Sequence, residues 1–366
     1  MKILFVSSIL AYGGASKLLN DLLPLFKNDG IECDLLVLHE RSTKYADILR
    51  QKGIPVTFIP KDVKGHFARI KYIEKFILKG TYDMVHVNLF PMTYYCSVIK
   101  KFKIKTLPMV MTEHNTDNKR RHIGVLRPVE KNIYKSYDSI ISISDQCQEQ
   151  LLSWLKPKDK EKYSIITNGI FVDRYKDANP YDRKELFYGI KDNERLLCMV
   201  GRFSVQKNHE IMVKVMEKLG INYKILFVGE GTLMEEIKDS VKEKGLEDRI
   251  AFLGFRTDIP EIMHTADIVV IPSKWEGFGL VAAEAMACGT PIVASNVTGL
   301  AEVVGEAGIL SDPNNVQEFI VAIKKLEDDE VYKKCKAAGI ERCELFDIKR
   351  MCREYERAYN AVQIKK

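Results

Sequence analysis

Short apolar runs alternate with longer stretches of mixed polarity through most of the chain. In the first half, the runs at 2–8, 33–38, 56–60, 84–88, 107–112 and 139–144 are rich in Val, Ile or Phe. Runs of this length and composition read as buried strands. Between them, stretches near 15–27, 43–52, 66–79, 92–101, 126–136 and 145–155 read as helices. A second set follows, with strands at 196–202, 223–229, 250–255, 267–273, 291–295 and 308–310. Helices near 208–219, 232–244, 258–264, 279–288 and 314–327 separate these. Strands alternating with helices imply parallel pairing, with crossover helices on both faces of the sheet. The pattern is doubled, so the chain is α/β with two open parallel sheets. A break is expected near 168–182, where Asn168-Gly169, Asn179-Pro180 and several charges cluster. Beyond about residue 330 only helix is expected, in two pieces.

Composition adds limits to this picture. The chain has 366 residues, 46% of them hydrophobic and 29% charged, enough for two buried cores and against long disorder. Its eight cysteines are scattered without a CxxC pair. That spacing argues against a zinc site and a disulfide framework and for free thiols in a reducing cytosol. The opening KILFVSS is read as a first buried strand rather than a signal peptide, since its apolar stretch is short, Lys2 is the only basic residue of a would-be n-region and many similar strands follow. No run of about 18 apolar residues occurs, so no membrane-spanning helix is expected.

Open parallel sheets bind ligands at the carboxyl ends of their strands. The residues just after each strand therefore carry the candidate chemistry. After the first strand comes Tyr12-Gly13-Gly14-Ala15-Ser16, then a helix. Paired glycines let the backbone approach a ligand, and the helix N-terminus offers N–H groups to a phosphate. The absence of GxGxxG weakens a dinucleotide reading. The second half opens with strand 196–202 and Gly201-Arg202-Phe203-Ser204-Val205-Gln206-Lys207-Asn208. Arg202 and Lys207 read either as a diphosphate clamp or as two solvated cations. The strongest local signal is Glu276-Gly277-Phe278-Gly279-Leu280 through Glu284, between a Pro-Ser strand end and a helix. Its first N–H groups suit an anion. Glu284 among small apolar residues needs a partner; sugar hydroxyls would serve, and so would a salt bridge.

Glu276-x7-Glu284 after Pro-Ser, preceded by Gly201-Arg202-Phe203-x4 and Asn208, resembles the family-4 retaining glycosyltransferases of GT-B fold. The ordered set Gly13-Gly14, Glu113-His114-Asn115, Ile143-Ser144, Asn168-Gly169, Gly229-Glu230-Gly231, Leu253-Gly254-Phe255 and Thr298-Gly299-x2-Glu302 supports it over nearly the whole chain. The resemblance implies two Rossmann-like domains facing a central cleft. Residues 1–172 would be the acceptor side and 173–345 the donor side, with a helix at 346–366 returning to the N-terminal domain. It implies that Arg202 and Lys207 bind the donor diphosphate, that Glu276 holds sugar hydroxyls and that Glu284 holds the ribose. His114 would lie beside the donor sugar and Gly14, with Gly13, against the diphosphate. Asn168 belongs to the same implied substrate set. Backbone at Phe278, Gly279 and Leu280 would touch sugar and phosphate, and that near Gly231 and Phe255 would line the base pocket. The co-substrate would be a nucleotide sugar, UDP first, with no cofactor and no metal. The chain carries no DxD at a strand end, in line with that. Where the family has Gly-Gly, Thr298-Gly299 stands here, which puts that loop's donor contacts in doubt. A nucleotide-sugar epimerase of the same fold and a non-catalytic sugar-nucleotide-binding homologue are the rival readings.

Charge is uneven. Residues 1–172 hold 27 Lys and Arg against 17 Asp and Glu, a net of +10, and residues 173–366 hold 29 against 33, a net of −4. Residues 64–79 put Phe67, Ile70, Ile73, Phe76 and Ile77 on one side of a helix and Lys64, Lys71, Lys75 and Lys79 mostly on the other. More cations follow at Lys100, Lys101, Lys103, Lys105, Lys119, Arg120 and Arg121. Two readings stand: a core-facing helix with a solvated face, or docking on an anionic cytoplasmic leaflet. The second fits a cytoplasmic enzyme peripheral to the membrane that extends a glycan on a polyprenyl-diphosphate carrier. No nucleic-acid-binding module is present, so that partner is not expected.

Overall fold

The computed structural model describes residues 1–10, 13–40, 44–115 and 119–364. It divides into two compact units: Met1–Gly169 with Ile348–Lys366, and Ile170–Asp347. The sequence placed these divisions at 172/173 and 345/346; they fall at 169/170 and 347/348.

The first unit is built on seven strands: β1 (Lys2–Leu10), β2 (Glu32–Glu40), β3 (Val56–Phe58), β4 (Met84–Asn88), β5 (Met109–Glu113), β6 (Ser139–Ser142) and β7 (Tyr163–Ile165). Their order is β3-β2-β1-β4-β5-β6-β7, and every pairing is parallel. Helices on both faces bury the strands, so β4 and β5 are buried at every position. The strand β7 was not foreseen. It is a three-residue edge strand, half-buried throughout, and lacks the continuous apolar run that marks the inner ones.

Helix Ile348–Ile364 belongs to this unit although it is last in the chain. A polar thread ties it to the sheet. His86 of β4 shares a hydrogen bond with the Tyr359 hydroxyl at 2.6 Å and with Thr112 Oγ1 at 2.8 Å. Thr112 in turn meets the Tyr355 hydroxyl at 3.0 Å. All four residues are buried. Phe26 packs against both tyrosine rings, so the helix is held by aromatic area as well.

The second unit has six parallel strands: β8 (Arg195–Val200), β9 (Tyr223–Val228), β10 (Ile250–Gly254), β11 (Ile268–Ile271), β12 (Ile292–Ser295) and β13 (Gly308–Ser311). Their order is β10-β9-β8-β11-β12-β13. The short helices Val172–Lys176, Arg183–Leu186 and Leu300–Val304 escaped the sequence reading, since four or five residues show no clear helical period. After residue 328 come the two expected helices, Asp329–Arg342 and Ile348–Ile364. All eight cysteines are free and buried, and burial pushes the Cys96 and Cys198 thiols up to about 12.

Burial pushes His86 and His209 down to about 3, helped by His114 and Lys207 respectively. Unfolded, each titrates near 6.5. Between those values the unfolded chain binds more protons, so stability falls as pH drops from about 6.5 toward 3. Urea midpoints measured at pH 7, 6 and 5 are expected to decline in that order. His209→Phe should make the decline shallower, because it removes one of the histidines that burial holds low. Tyr359→Phe leaves a buried His86 nitrogen unpaired and is expected to cost about 1–3 kcal/mol. An unchanged urea midpoint at pH 7 would show that the thread does not hold the helix.

Candidate functional site

In the second unit the strand order reverses between β8 and β11. Chains leaving these neighbours depart to opposite faces, and the crevice between them is where such sheets take ligands. Two loops meet there. Asn208, held left-handed at φ 60, donates from Nδ2 to the carbonyls of Pro272 at 3.1 Å and Pro313 at 2.9 Å. The Lys274 N–H donates to Gln206 O at 2.8 Å, and Gln206 Nε2 to Trp275 O at 2.9 Å. This stitching brings Lys207, from the loop after β8, into an ion pair with Glu276, from the loop after β11. Ser273 Oγ donates to the same carboxylate at 2.9 Å. The two charged side chains are only 19% and 10% exposed. Arg202 differs: it is exposed and has no ion pair among the described residues.

The loop then enters helix Leu280–Ala287 through Gly279, whose φ of +93 only glycine adopts without strain. No side chain caps this helix and its first turn holds no acid, so its leading N–H groups stay available to an anion. Leu280 opens the helix half-buried. Glu284, one turn in, is buried. Phe278 is buried against Phe346, with ring centroids 5.5 Å apart. Gly299 approaches this loop closely: a Cβ there would lie 2.7 Å from the Glu276 carbonyl oxygen. Thr298-Gly299 thus lies on the backbone of the Glu276-Gly277 turn, a contact that needs only the second glycine of the usual pair.

Gly231 follows β9 and lies against the backbone of Phe203, within the loop after β8. Phe255 follows β10 and is half-buried. Arg202, Lys207, Gly231, Phe255, Glu276, Phe278, Gly279, Leu280 and Glu284 therefore all follow carboxyl ends of strands in one sheet. Ser273, Gln206 and Asn208 hold this arrangement; Asn208 entered the sequence reading only as a motif residue, and the holding role of none of the three was foreseen. Their signal was position alone: Gln206 and Asn208 flank Lys207, and Ser273 lies three residues before Glu276.

The first unit has its own reversal, between β1 and β4. Gly13 and Gly14 follow β1, both exposed, and open helix Gly14–Asn28 without a side-chain cap or an acid in its first turn. Tyr12 of the same motif lies outside the described residues. His114 follows β5, half-buried, with Nε2 2.9 Å from Asn88 Oδ1 at the end of β4. Burial lowers it to about 4, against an opposing pull from Glu113, so the ring is neutral near pH 7. Glu113 fixes the turn. Its Oε1 accepts from the Asn115 N–H at 3.0 Å, and its Oε2 from the Tyr134 hydroxyl at 2.5 Å. Asn168 follows β7 and is buried, with no partner for Oδ1 among the described residues.

The basic face is smaller than the sequence indicated. Lys100 is buried on Asp138 at 2.8 Å, Arg120 on the buried Glu130 at 2.8 Å, and Arg121 on Glu113 at 3.3 Å. Arg120 and Arg121 serve buried carboxylates, while Lys100, itself buried, reaches the exposed Asp138. Phe67, expected on the core side of helix His66–Lys79, is 80% exposed, whereas Ile73 and Ile77 are buried. Phe67 sits in the first turn, ahead of Ile70, Ile73, Phe76 and Ile77, which pack on the core. Among the described residues one group could hold a metal: Asp29, Cys352 and Glu356, with ligand atoms within 4.8 Å of one another. It sits just past the last turn of helix Gly14–Asn28, remote from Gly13. No helix among the described residues is long and apolar enough to cross a membrane.

Comparison with known proteins bears on both units. Residues 12–174 match the model described as Glycosyltransferase Family 4, and residues 182–342 match Glycosyl transferases group 1. An uncharacterized glycosyltransferase of Methanocaldococcus jannaschii is 31% identical over 265 residues, covering 68% of this chain and 67% of the relative. The Escherichia coli UDP-Gal:alpha-D-GlcNAc-diphosphoundecaprenol alpha-1,3-galactosyltransferase is 35% identical over 182 residues, 47% of each chain. The crystal structure of Anabaena HepE in complex with UDP superposes with a TM-score of 0.84 at 22% identity, covering 99% of this chain and 100% of that one. The doubled parallel sheet, the paired family matches and the M. jannaschii relative together make this chain a member of the family-4 glycosyltransferases of GT-B fold.

Proposed function

We propose that the chain transfers a hexose or N-acetylhexosamine from a UDP-sugar, with retention and without a metal ion, to a glycan on a polyprenyl-diphosphate carrier. The observation that carries this reading is the meeting of Lys207 and Glu276 at the strand reversal, beside the uncapped helix Leu280–Ala287. A cation, a carboxylate and free N–H groups together match the three parts of a sugar diphosphate: anion, hydroxyls and phosphate oxygens. UDP is named in the HepE complex and UDP-Gal in the E. coli relative. That relative's acceptor, a GlcNAc-diphosphoundecaprenol, is likewise lipid-linked.

In this reading Arg202 and Lys207 neutralise the charge that develops on the leaving diphosphate, the part a divalent ion would otherwise take. Glu276 accepts hydrogen bonds from sugar hydroxyls and Glu284 from the ribose. His114, neutral, lies beside the donor sugar as a hydrogen-bonding group, and Gly14 lies against the diphosphate. Transfer on the same face needs no protein nucleophile, because the departing phosphate accepts the acceptor's proton. Lys207 leaves Glu276, at least in part, when the diphosphate arrives, and the sugar hydroxyls take its place on the carboxylate. The enzyme works from the cytoplasmic side, docked on anionic lipid through the lysines of helix His66–Lys79 and the exposed Phe67 and Leu78.

The donor site is tested by thermal shift with UDP, GDP, ADP and their sugar conjugates, with EDTA present. A rise with UDP and a larger one with a single UDP-sugar is expected; no rise with any nucleotide would count against the donor site. Glu284→Ala should weaken donor binding by about 1.5–3 kcal/mol, the range for a hydrogen bond to a charged group. Lys207→Ala should do the same and also lower the melting temperature without ligand, because it strands the buried Glu276 carboxylate. Arg202→Ala, at an exposed cation, should weaken donor binding with little change in melting temperature. Flotation with vesicles containing phosphatidylglycerol at low salt should carry the protein upward; failure to float would remove the membrane from the reading.

A further inference from the structure

A cavity of about 510 Å³ opens in the first unit, away from the strand reversal. Residues at the carboxyl ends of β2 and β3 line it, with Arg69 from the first turn of helix His66–Lys79. Its size lies within the range of small-molecule sites. One wall is apolar, made by Phe58, Pro60 and Val63. The other carries charge. Lys61 and Glu40 face each other at 3.9 Å and offset one another. Arg69 is left over. It is half-buried, it has no ion pair among the described residues, and its Nε is buried without a hydrogen-bond partner. A buried guanidinium nitrogen left unsatisfied is costly, and an anion seated in the cavity would satisfy it.

Position narrows the choice of ligand. The cavity shares the carboxyl edge of the sheet with Gly13 and His114, but β2 and β3 lie one and two strands outward from β1. At about 4.8 Å per strand, that is about 5–10 Å from the reversal. A group bound here belongs to the acceptor's far end rather than to its reacting hydroxyl. We propose that this cavity holds the diphosphate of a lipid-linked acceptor together with the first part of its apolar chain, Arg69 taking the phosphate and Phe58, Pro60 and Val63 the hydrocarbon. The assignment rests on the acceptor class proposed above and adds where that acceptor's anionic head is held.

Farnesyl diphosphate, pyrophosphate and farnesol serve as probes, each titrated by calorimetry into the full chain saturated with UDP, so that a nucleotide-binding site cannot answer for them. Farnesyl diphosphate is expected to bind at least tenfold tighter than pyrophosphate, and farnesol not to bind. Arg69→Gln should weaken farnesyl diphosphate at least tenfold while leaving UDP affinity unchanged. Lys61→Glu should weaken it as well, and Lys61 is 89% exposed, so that variant does not depend on the core to fold. Wild-type affinity for farnesyl diphosphate in both variants would overturn the proposal, as would equal affinity for pyrophosphate and farnesyl diphosphate. If UDP itself fails to bind, the donor reading falls, and titration of the same probes without UDP still decides the cavity.

Discussion

Parallel pairing is the constraint from which the rest follows. A strand that must run alongside its predecessor needs a crossover, and the crossover helix must pack on one face or the other. Each unit therefore delivers its loops to a single edge and leaves a crevice where strand order reverses. Lys207 and Glu276 are 69 residues apart in sequence and share no local motif. They meet because β8 and β11 are neighbours across that reversal. In the first unit the same constraint puts His114 within hydrogen-bonding distance of Asn88, from two adjacent strand ends.

The ion pair has a further consequence. A carboxylate as buried as Glu276 needs a counter-charge, and Lys207 supplies it with Ser273. The pair is thus internally neutral, and on the proposed function a ligand bearing both an anion and hydroxyls would exchange for it on both ends at once. A simple anion offers only half of that exchange. On that proposal the pair would favour a sugar diphosphate over inorganic phosphate without any contact to the base. Arg202 lies outside the exchange, exposed, and adds charge without having to give up a partner.

Much of this was legible in the sequence because the inner strands are continuous apolar runs and because Gly, Pro-Ser and paired charges punctuate their ends. The doubled α/β pattern, the break near 168–182 and the clustering of candidates after strands all follow from those two signals. What was not legible depends on tertiary partners. The edge strand β7 is half-buried and reads as loop. Phe67 fits the apolar side of its helix by spacing, but the first turn projects past the core. The hold of Glu113 on the Asn115 turn, and of Asn208 on two distant carbonyls, has no trace in spacing at all.

Net charge illustrates the same limit from another direction. The excess of +10 over residues 1–172 invites a uniformly basic surface. Yet Lys100 and Arg120 close on Asp138 and Glu130, and Arg121 closes on Glu113 behind the His114 turn. Cations closed on carboxylates in this way are offset by their partners and add little to the field outside. Helix His66–Lys79 keeps Lys71, Lys75 and Lys79 exposed, and it also contributes Arg69 to the cavity beyond β2 and β3. On the proposed function, one element would then offer exposed lysines to an anionic surface and a half-buried guanidinium to a single anion, and a diphosphate whose hydrocarbon chain stays in a bilayer would meet both.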